Sequence, residues 1–334
     1  MEMILVLPLL VGFFVTLFFL PFWIRKAKQI GLIWEDMHKK ECRKNVAGSG
    51  GVGVLLGFVG GVLSYIAIKT FILKTDTTTI EIFALLSSVL IIGFVGFTDD
   101  LFGWRKGGLS RKSRIILVLS AAVPLMVINA GTSKMIGIEF GLIYPLVFIP
   151  LGIVATTTTF NFLAGYNGLE SSQGIIILSA LSIATWLNGK SWLSLILLIM
   201  ASCLCAFYIF NKHPARVFPG DALTYPVGAL IAITAILGNI EKIAVFFFIP
   251  YILEVGLKVR GRLKKESFAE LDENGGLEIP YKKFYGIEHL SIYLLKKIKK
   301  GGKVSEKEVV YLINIFQIAI ILLGFVLFKG GLVG

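Results

Sequence analysis

Long apolar runs alternate with short polar segments along the whole chain. A helix that crosses a bilayer needs about 20 mostly apolar residues. By that measure the pattern predicts about ten spans, near 3–24, 46–68, 80–98, 113–130, 140–160, 172–188, 191–210, 222–238, 240–257 and 309–328. The eighth and ninth runs lie close together, and only Gly238-Asn239 and a few neighbours can turn between them. The expected fold class is an all-α polytopic membrane protein built as one membrane-embedded domain over 1–334. One substantial polar segment, 258–308, separates the last two runs. Within it, Asn274-Gly275-Gly276 predicts the turn of a small β-hairpin, and IYLLKKIKKGG reads as an amphipathic surface helix stopped by glycines. The first apolar run lacks a basic leader and a small-residue cleavage site, so it reads as a retained helix rather than a signal peptide.

Composition strengthens this picture. Of 334 residues, 56% are hydrophobic and only 16% charged, against roughly 25% charged in a soluble domain. The mean hydropathy is +0.82. A water-soluble globule cannot hide that much apolar surface, whereas lipid contact removes the need to. The net charge of +12 would suggest nucleic acid in a soluble protein. Here it fits the excess of Lys and Arg in cytoplasmic loops, and no nucleic-acid partner is expected. With the N-terminus outside and ten spans, the inside loops are about 25–45, 99–112, 161–171, 211–221 and 258–308. With their flanks, these loops hold all but six of the 33 Lys and Arg residues, the exceptions being Lys69, Lys74, Lys134, Lys190, Lys242 and Lys329. That bias predicts both termini outside and any polar site on the cytoplasmic face.

The glycine-rich stretch KNVAGSGGVGVLLGFVGG (44–61) contains G-x-G patterns. A dinucleotide site would need a preceding strand and a βαβ unit, which an apolar span does not supply. Gly53, Gly57, Gly60 and Gly61 are instead expected to let helices approach closely, with Gly48–Gly51 as a flexible entry. Cys42, Cys203 and Cys205 show neither metal spacing nor a disulfide framework, and the latter two read as packing residues.

The chemistry sits at the ends of the apolar runs. Asp99 and Asp100 close the run IIGFVGFT. Adjacent carboxylates at a membrane boundary repel and pay for desolvation unless compensated by a divalent cation or by basic groups. As a plain alternative they cap a solvated helix end. Arg111, Lys112 and Arg114 follow in GLSRKSR, where they mark the border of a span or neutralise phosphates. TTTFNFLAGYNGLE places Asn161 and Asn167 beside Glu170. Amide oxygens can ligate Mg²⁺, although turn formation and capping are also ordinary roles for Asn. NKHPARVFPGD (211–221) supplies His213, Arg216 and Asp221, the last at the entrance to a span. A carboxylate there either caps the helix or aims a metal ligand into a site.

FVGFTDD, NFLAGYNGLE and NKHPARVFPGD resemble the signature segments of the polyprenyl-phosphate N-acetylhexosamine-1-phosphate transferase superfamily, glycosyltransferase family 4. The resemblance extends from about Asp36 to Tyr285 and is closest to the eukaryotic and archaeal UDP-N-acetylglucosamine–dolichyl-phosphate N-acetylglucosaminephosphotransferases. It implies transfer of N-acetylglucosamine 1-phosphate from UDP-N-acetylglucosamine to a polyprenyl phosphate such as dolichyl phosphate, with release of UMP. It also implies a Mg²⁺ cofactor, with Mn²⁺ as a substitute, and is compatible with a homodimer. By the family pattern, Asp99, Asp100 and Lys112 would be catalytic, and Asn161 and Asp221 would hold the metal. Asn167 would bind nucleotide, and Arg216, Arg260 and Arg262 would contact phosphate or sugar. The chain lacks the histidine-rich motif of the bacterial peptidoglycan branch, which argues against a muramyl-pentapeptide substrate. It also has Arg260-Gly261-Arg262 where the eukaryotic branch has an Arg-His-Arg-like segment. Rival readings are the same reaction on another UDP-N-acetylhexosamine or on undecaprenyl phosphate, and a multi-span transporter. Against the transporter, the polar groups gather at one face and no charge chain crosses the midplane.

Overall fold

The computed structural model describes residues 3–37, 46–132, 134–135, 138–273, 275–300 and 302–328. Cys42, Asn274 and Lys329 lie outside the described residues. The N-terminal half is formed by α1 (Leu7–Ile30), the paired strands β1 (Ile33–Trp34) and β2 (Val46–Ala47), and α2 (Gly51–Ala67). Next come α3 (Thr79–Lys106), α4 (Arg111–Ser120), α5 (Val123–Val127), the short pair β3 (Lys134–Met135) and β4 (Ile138–Glu139), and α6 (Ile149–Phe160). The C-terminal half contains α7 (Leu169–Leu187), α8 (Ser191–Asn211), α9 (Asp221–Gly238), α10 (Glu241–Phe247) and α11 (Ile249–Arg260). It closes with β5 (Glu270–Leu271), β6 (Leu277–Glu278), α12 (Ile287–Ile298) and α13 (Glu306–Leu327).

Among the described residues, six helical segments are long and apolar enough to cross a membrane: Met3–Ile30, Gly51–Leu73, Thr79–Arg105, Ser191–Asn211, Asp221–Gly238 and Glu306–Leu327. The protein is thus an all-α multi-pass membrane protein. The other four runs of the expected ten are helical but differ in kind. The run near 113–130 breaks at Ala121-Ala122 just before Pro124, and that near 240–257 breaks at Phe248 just before Pro250. Proline cannot donate the missing backbone hydrogen bond, so each helix restarts there. The run near 140–160 passes through a π-helical turn, Tyr144–Phe148, before α6. In α7 the first turns carry Glu170, Ser171, Ser172 and Gln173, which lower its hydropathy.

Helix α9 is the central post. Every residue from Ala222 to Gly238 is buried, and the helix packs on α3 and α6. A Cβ at Gly96 of α3 or at Gly51 of α2 would overlap the backbone at Asp221–Leu223. Glycine at these two positions therefore lets both helices reach the first turn of α9. Gly57 and Gly61 meet α1 and α8 as closely, in line with the packing expectation, whereas Gly60 has ordinary room. Cys203 is buried beside Gly12 and Gly57, but Cys205 is exposed and does not pack as expected.

The segment 46–51 is not a loose entry. The amide of Phe218 donates to the Ala47 carbonyl at 2.8 Å, Gly50 donates to Phe218 at 2.9 Å, and Gly51 donates to Pro219 at 3.0 Å. The expected flexibility of Gly48–Gly51 gives way because this backbone pairs with the loop before α9. The hairpin and amphipathic helix of the last polar segment are present. Strands β5 and β6 pair antiparallel, Glu270 opposite Glu278 and Leu271 opposite Leu277. Helix α12 buries Ile287, Ser291 and Ile292 and exposes Leu290, Tyr293 and Leu294.

Candidate active site

The carboxylates of Asp99, Asp100 and Asp221 converge where the C-terminal part of α3 meets the first turn of α9. Asp100 accepts hydrogen bonds from the backbone amides of Asp221, 2.8 Å, and Ala222, 3.2 Å. These are two of the donors that a helix start leaves unpaired, so Asp100 caps α9 from another helix. Asp99 is buried and fully engaged. Its Oδ1 accepts from the Leu109 amide at 2.7 Å. Its Oδ2 pairs with Arg114 Nη2 at 2.7 Å and accepts from the Tyr225 hydroxyl at 3.3 Å. The Asp221 carboxyl lies against both of these carboxyls and against the Tyr225 hydroxyl.

Asn161 caps the C-terminus of α6. Its Oδ1 accepts from the Thr224 hydroxyl at 3.0 Å, which sets the amide with oxygen toward α9. Thr224 and Tyr225 stand three and four residues after Asp221, so helical spacing puts all three on one side of α9. Glu170 accepts from the Gly165 amide at 2.8 Å and so fixes the turn that follows Asn161.

Two cavities adjoin this cluster and share a wall at Asn161, Ala164, Gly165 and Phe268. The first, about 380 Å³, is lined by Asp36, Asp100, Asn161, Glu170, Phe218 and Asp221 among others. The second, about 620 Å³, is lined by Arg111, Arg114, Asn161, Lys258, Lys264 and Lys265 among others. One cavity is acidic and amide-lined and the other strongly basic, an arrangement suited to a metal–diphosphate on one side and phosphate oxygens on the other. The buried Nε of Arg114 has no hydrogen-bond partner among the described residues.

Not every residue expected from the sequence meets here. Asp99, Asp100, Asn161 and Asp221 do. Lys112 is exposed on the first turn of α4 and lines neither cavity. Arg260 and Arg262 are exposed and also line neither, while Lys258, Lys264 and Lys265 around them line the basic one. Arg216 is exposed and stacks its guanidinium 5.0 Å from the Phe210 ring centre. Asn167 is buried, and its amide donates to Asp36 at 3.1 Å and to Glu306 at 3.4 Å. Sequence reasoning passed over Thr224 and Tyr225, although their spacing from Asp221 was a usable signal. Arg114 was expected, with Arg111 and Lys112, to mark a span border or neutralise phosphates, and neither hydropathy nor motif order distinguishes it from Lys112.

Three carboxyls beside one guanidinium leave an excess of negative charge that a divalent cation would offset. Among the described residues, no group of three or more His, Cys, Asp or Glu is arranged to hold an ion alone. The donor set still fits a hard cation of the Mg²⁺ kind, which takes one or two protein oxygens and completes its shell with water and substrate phosphate. Asp99 and Asp100 give both of their oxygens to N–H or O–H donors. The Asn161 oxygen accepts only the Thr224 hydroxyl among the described contacts and keeps a second lone pair, so Asn161 and Asp221 are the candidate pair.

Comparison with known proteins shows the family. Residues 82–239, which include Asp99, Asp100, Asn161 and Asp221, match the family described as glycosyl transferase family 4. A Saccharolobus solfataricus protein provisionally named a UDP-N-acetylglucosamine–dolichyl-phosphate N-acetylglucosaminephosphotransferase is 34% identical over 315 residues, covering 92% of this chain and 91% of that protein. A Sulfolobus acidocaldarius protein with the same provisional name is 32% identical over 278 residues, covering 81% of this chain and 82% of its own. A phospho-N-acetylmuramoyl-pentapeptide-transferase of Streptococcus pyogenes is more distant, at 27% identity over 258 residues, 73% of this chain and 76% of that protein. The chain belongs to glycosyl transferase family 4, and its glycosyltransferase activity resembles that of the archaeal N-acetylglucosaminephosphotransferases.

Proposed function

We propose that the protein transfers N-acetylglucosamine 1-phosphate from UDP-N-acetylglucosamine to a polyprenyl phosphate, dolichyl phosphate being the acceptor that the names of its archaeal relatives indicate. The products are polyprenyl-diphospho-N-acetylglucosamine and UMP, the first lipid-linked sugar of an N-glycan. The observation that carries this reading is the pairing of the carboxylate–amide cavity with a basic cavity across Asn161.

In this reading the cavity between Asp36 and Asp221 takes the nucleotide with its diphosphate, and the basic cavity takes the acceptor phosphate. An oxygen of the acceptor phosphate attacks the β-phosphorus of the nucleotide sugar. The bond from that phosphorus to the bridging oxygen breaks, and the oxygen leaves with UMP. Arg114, Lys258, Lys264 and Lys265 neutralise the phosphate oxygens. The acceptor is already an anion, so no strong base is required. Asp99 therefore serves to orient Arg114, and Asp100 serves to hold the first turn of α9. Asp221 and Asn161 would hold a Mg²⁺ ion, with Mn²⁺ as a substitute, which would supply charge neutralisation at the diphosphate.

A third cavity, about 260 Å³ and almost wholly apolar, lies between α6, α9 and the α10–α11 pair, lined by residues such as Phe148, Leu151, Ile231 and Phe248. It flanks the helix that ends at Asn161 and suits the isoprenoid tail. Counting the four other apolar runs as crossings would give ten spans, with both termini outside and the site on the cytoplasmic face, the arrangement that the charge bias supports. The membrane embedding then lets a water-soluble donor meet a lipid-anchored acceptor.

Purified protein in lipid nanodiscs, given UDP-N-acetylglucosamine, dolichyl phosphate and Mg²⁺, is expected to release UMP, and EDTA is expected to stop it. No UMP from any of several UDP-N-acetylhexosamines with either dolichyl or undecaprenyl phosphate would sink the transferase reading.

A further inference from the structure

Glu306 opens α13, far from the signature segments in sequence, yet its carboxylate is buried against two of them. Only 4% of the residue is exposed. Its Oε1 accepts from the backbone amide of Asn167 at 2.6 Å. Its Oε2 accepts from the Asn167 side chain at 3.4 Å and lies 3.2 Å from Nδ1 of His213. Asn167 belongs to the loop after Asn161, and His213 to the loop before Asp221. The Asn167 amide also donates to Asp36 at 3.1 Å. One buried carboxylate thus binds the two loops that carry the candidate metal-holding pair, and through Asn167 it reaches the segment after β1.

The same turn of α13 is tied to the last polar segment. Ser305 and Glu308 form a reciprocal cap at its start, and Glu308 pairs with Lys299 just beyond α12. The amide of Leu277 in the hairpin donates to the Val304 carbonyl at 2.9 Å. Hairpin, α12 and the start of α13 are therefore joined within two residues of Glu306.

We infer that Glu306 is a positioning residue for the nucleotide cavity. It holds Asn167 and His213 in place, and so sets the spacing between the cavity walls at Tyr166, Asn211 and Phe218. The basic cavity shares the wall at Asn161, Ala164 and Gly165, but its cations come from α4, the end of α11 and the segment after it, away from Asn167 and His213. Loss of the carboxylate should act on nucleotide binding selectively. Hydrogen bonds to a charged, buried acceptor are worth more than neutral ones, and removing the acceptor leaves the donors unpaired.

This inference rests on the nucleotide reading of that cavity, and its test separates the two. Full-length wild type, Glu306→Gln and Glu306→Ala in nanodiscs would be compared by initial rates, varying UDP-N-acetylglucosamine and dolichyl phosphate separately. Hydrogen–deuterium exchange would be followed in peptides spanning 161–170 and 211–221. Glu306→Ala should raise the KM for the nucleotide sugar by about tenfold or more, leave that for the lipid within about twofold, and speed exchange in both segments. Glu306→Gln, which keeps the shape and one acceptor, should move both readouts in the same direction by less. If Glu306→Ala does not fold, Glu306→Gln decides by the same criteria. Unchanged exchange in the two segments, or equal rises in both KM values, would overturn the inference. A wild type without turnover would instead condemn the functional reading, and exchange alone would then decide on Glu306.

Discussion

Asp221→Asn is expected to lower turnover at saturating substrates by at least about a hundredfold, because metal polarisation of a phosphoryl oxygen is worth several kcal/mol. The fold should survive. Asp100 holds the first turn of α9 through the backbone amides of residues 221 and 222, and Asn leaves both amides in place. Removing one of three clustered carboxylates also relieves repulsion, so the thermal transition should stay at or slightly above that of wild type. Mg²⁺ titration of the residual activity checks the role of the side chain. A variant with wild-type turnover and wild-type Mg²⁺ dependence would remove Asp221 from the proposed pair.

Arg114→Met should damage both stability and catalysis, by separable routes. The guanidinium is 34% exposed, but the Asp99 carboxylate it neutralises is only 2% exposed. Breaking a buried pair by deleting one partner strands the other charge, and after a discount for the half-open arginine the cost is about 1–3 kcal/mol. Turnover falls as well, since the basic cavity loses a cation facing the phosphates. The double variant Arg114→Met with Asp99→Asn removes the stranded charge. It should regain most of the stability and little of the turnover. Thermal unfolding and UMP release, measured on both proteins, check this. A single variant as stable as wild type would show that Asp99 does not depend on Arg114.

These two residues also illustrate what can be read from a chain of this kind. Asp221 stood out because NKHPARVFPGD is short, proline-restricted and placed at the mouth of an apolar run. Asp99 and Asp100 stood out because adjacent carboxylates at such a border need an explanation. Arg114 did not stand out, because three basic residues within four positions look alike until the turn after α3 brings one of them to Asp99. The family pattern pointed to Lys112, which the first turn of α4 leaves at the surface. Likewise Arg260 and Arg262 were the expected cations of the last polar segment, yet the end of α11 turns Lys258 toward the basic cavity, with Lys264 and Lys265 just beyond it.

The helices were legible from hydropathy to a similar degree. All ten apolar runs contain helix, but composition does not reveal where an apolar helix breaks. Pro124 and Pro250 were visible as residues, and their effect depended on neighbours that accept a restarted helix. The contact between Ala47 and Phe218 was out of reach for the same reason, since it joins backbone atoms and leaves no side-chain pattern. Glu306 combines both difficulties: its importance comes from amide donors in distant loops, and its own surroundings read as the ordinary polar start of a span.

The central claim is transfer of a sugar 1-phosphate, rather than of a sugar alone, to a lipid phosphate. UDP-N-acetylglucosamine labelled with ³²P at the β-phosphate tests it most directly, with dolichyl phosphate and Mg²⁺ in nanodiscs and analysis of the organic and aqueous phases. The account predicts that the label enters the lipid fraction as a diphosphate, in step with unlabelled UMP. Label remaining in the aqueous phase as UDP while sugar reaches the lipid, or no lipid product at all, would contradict it.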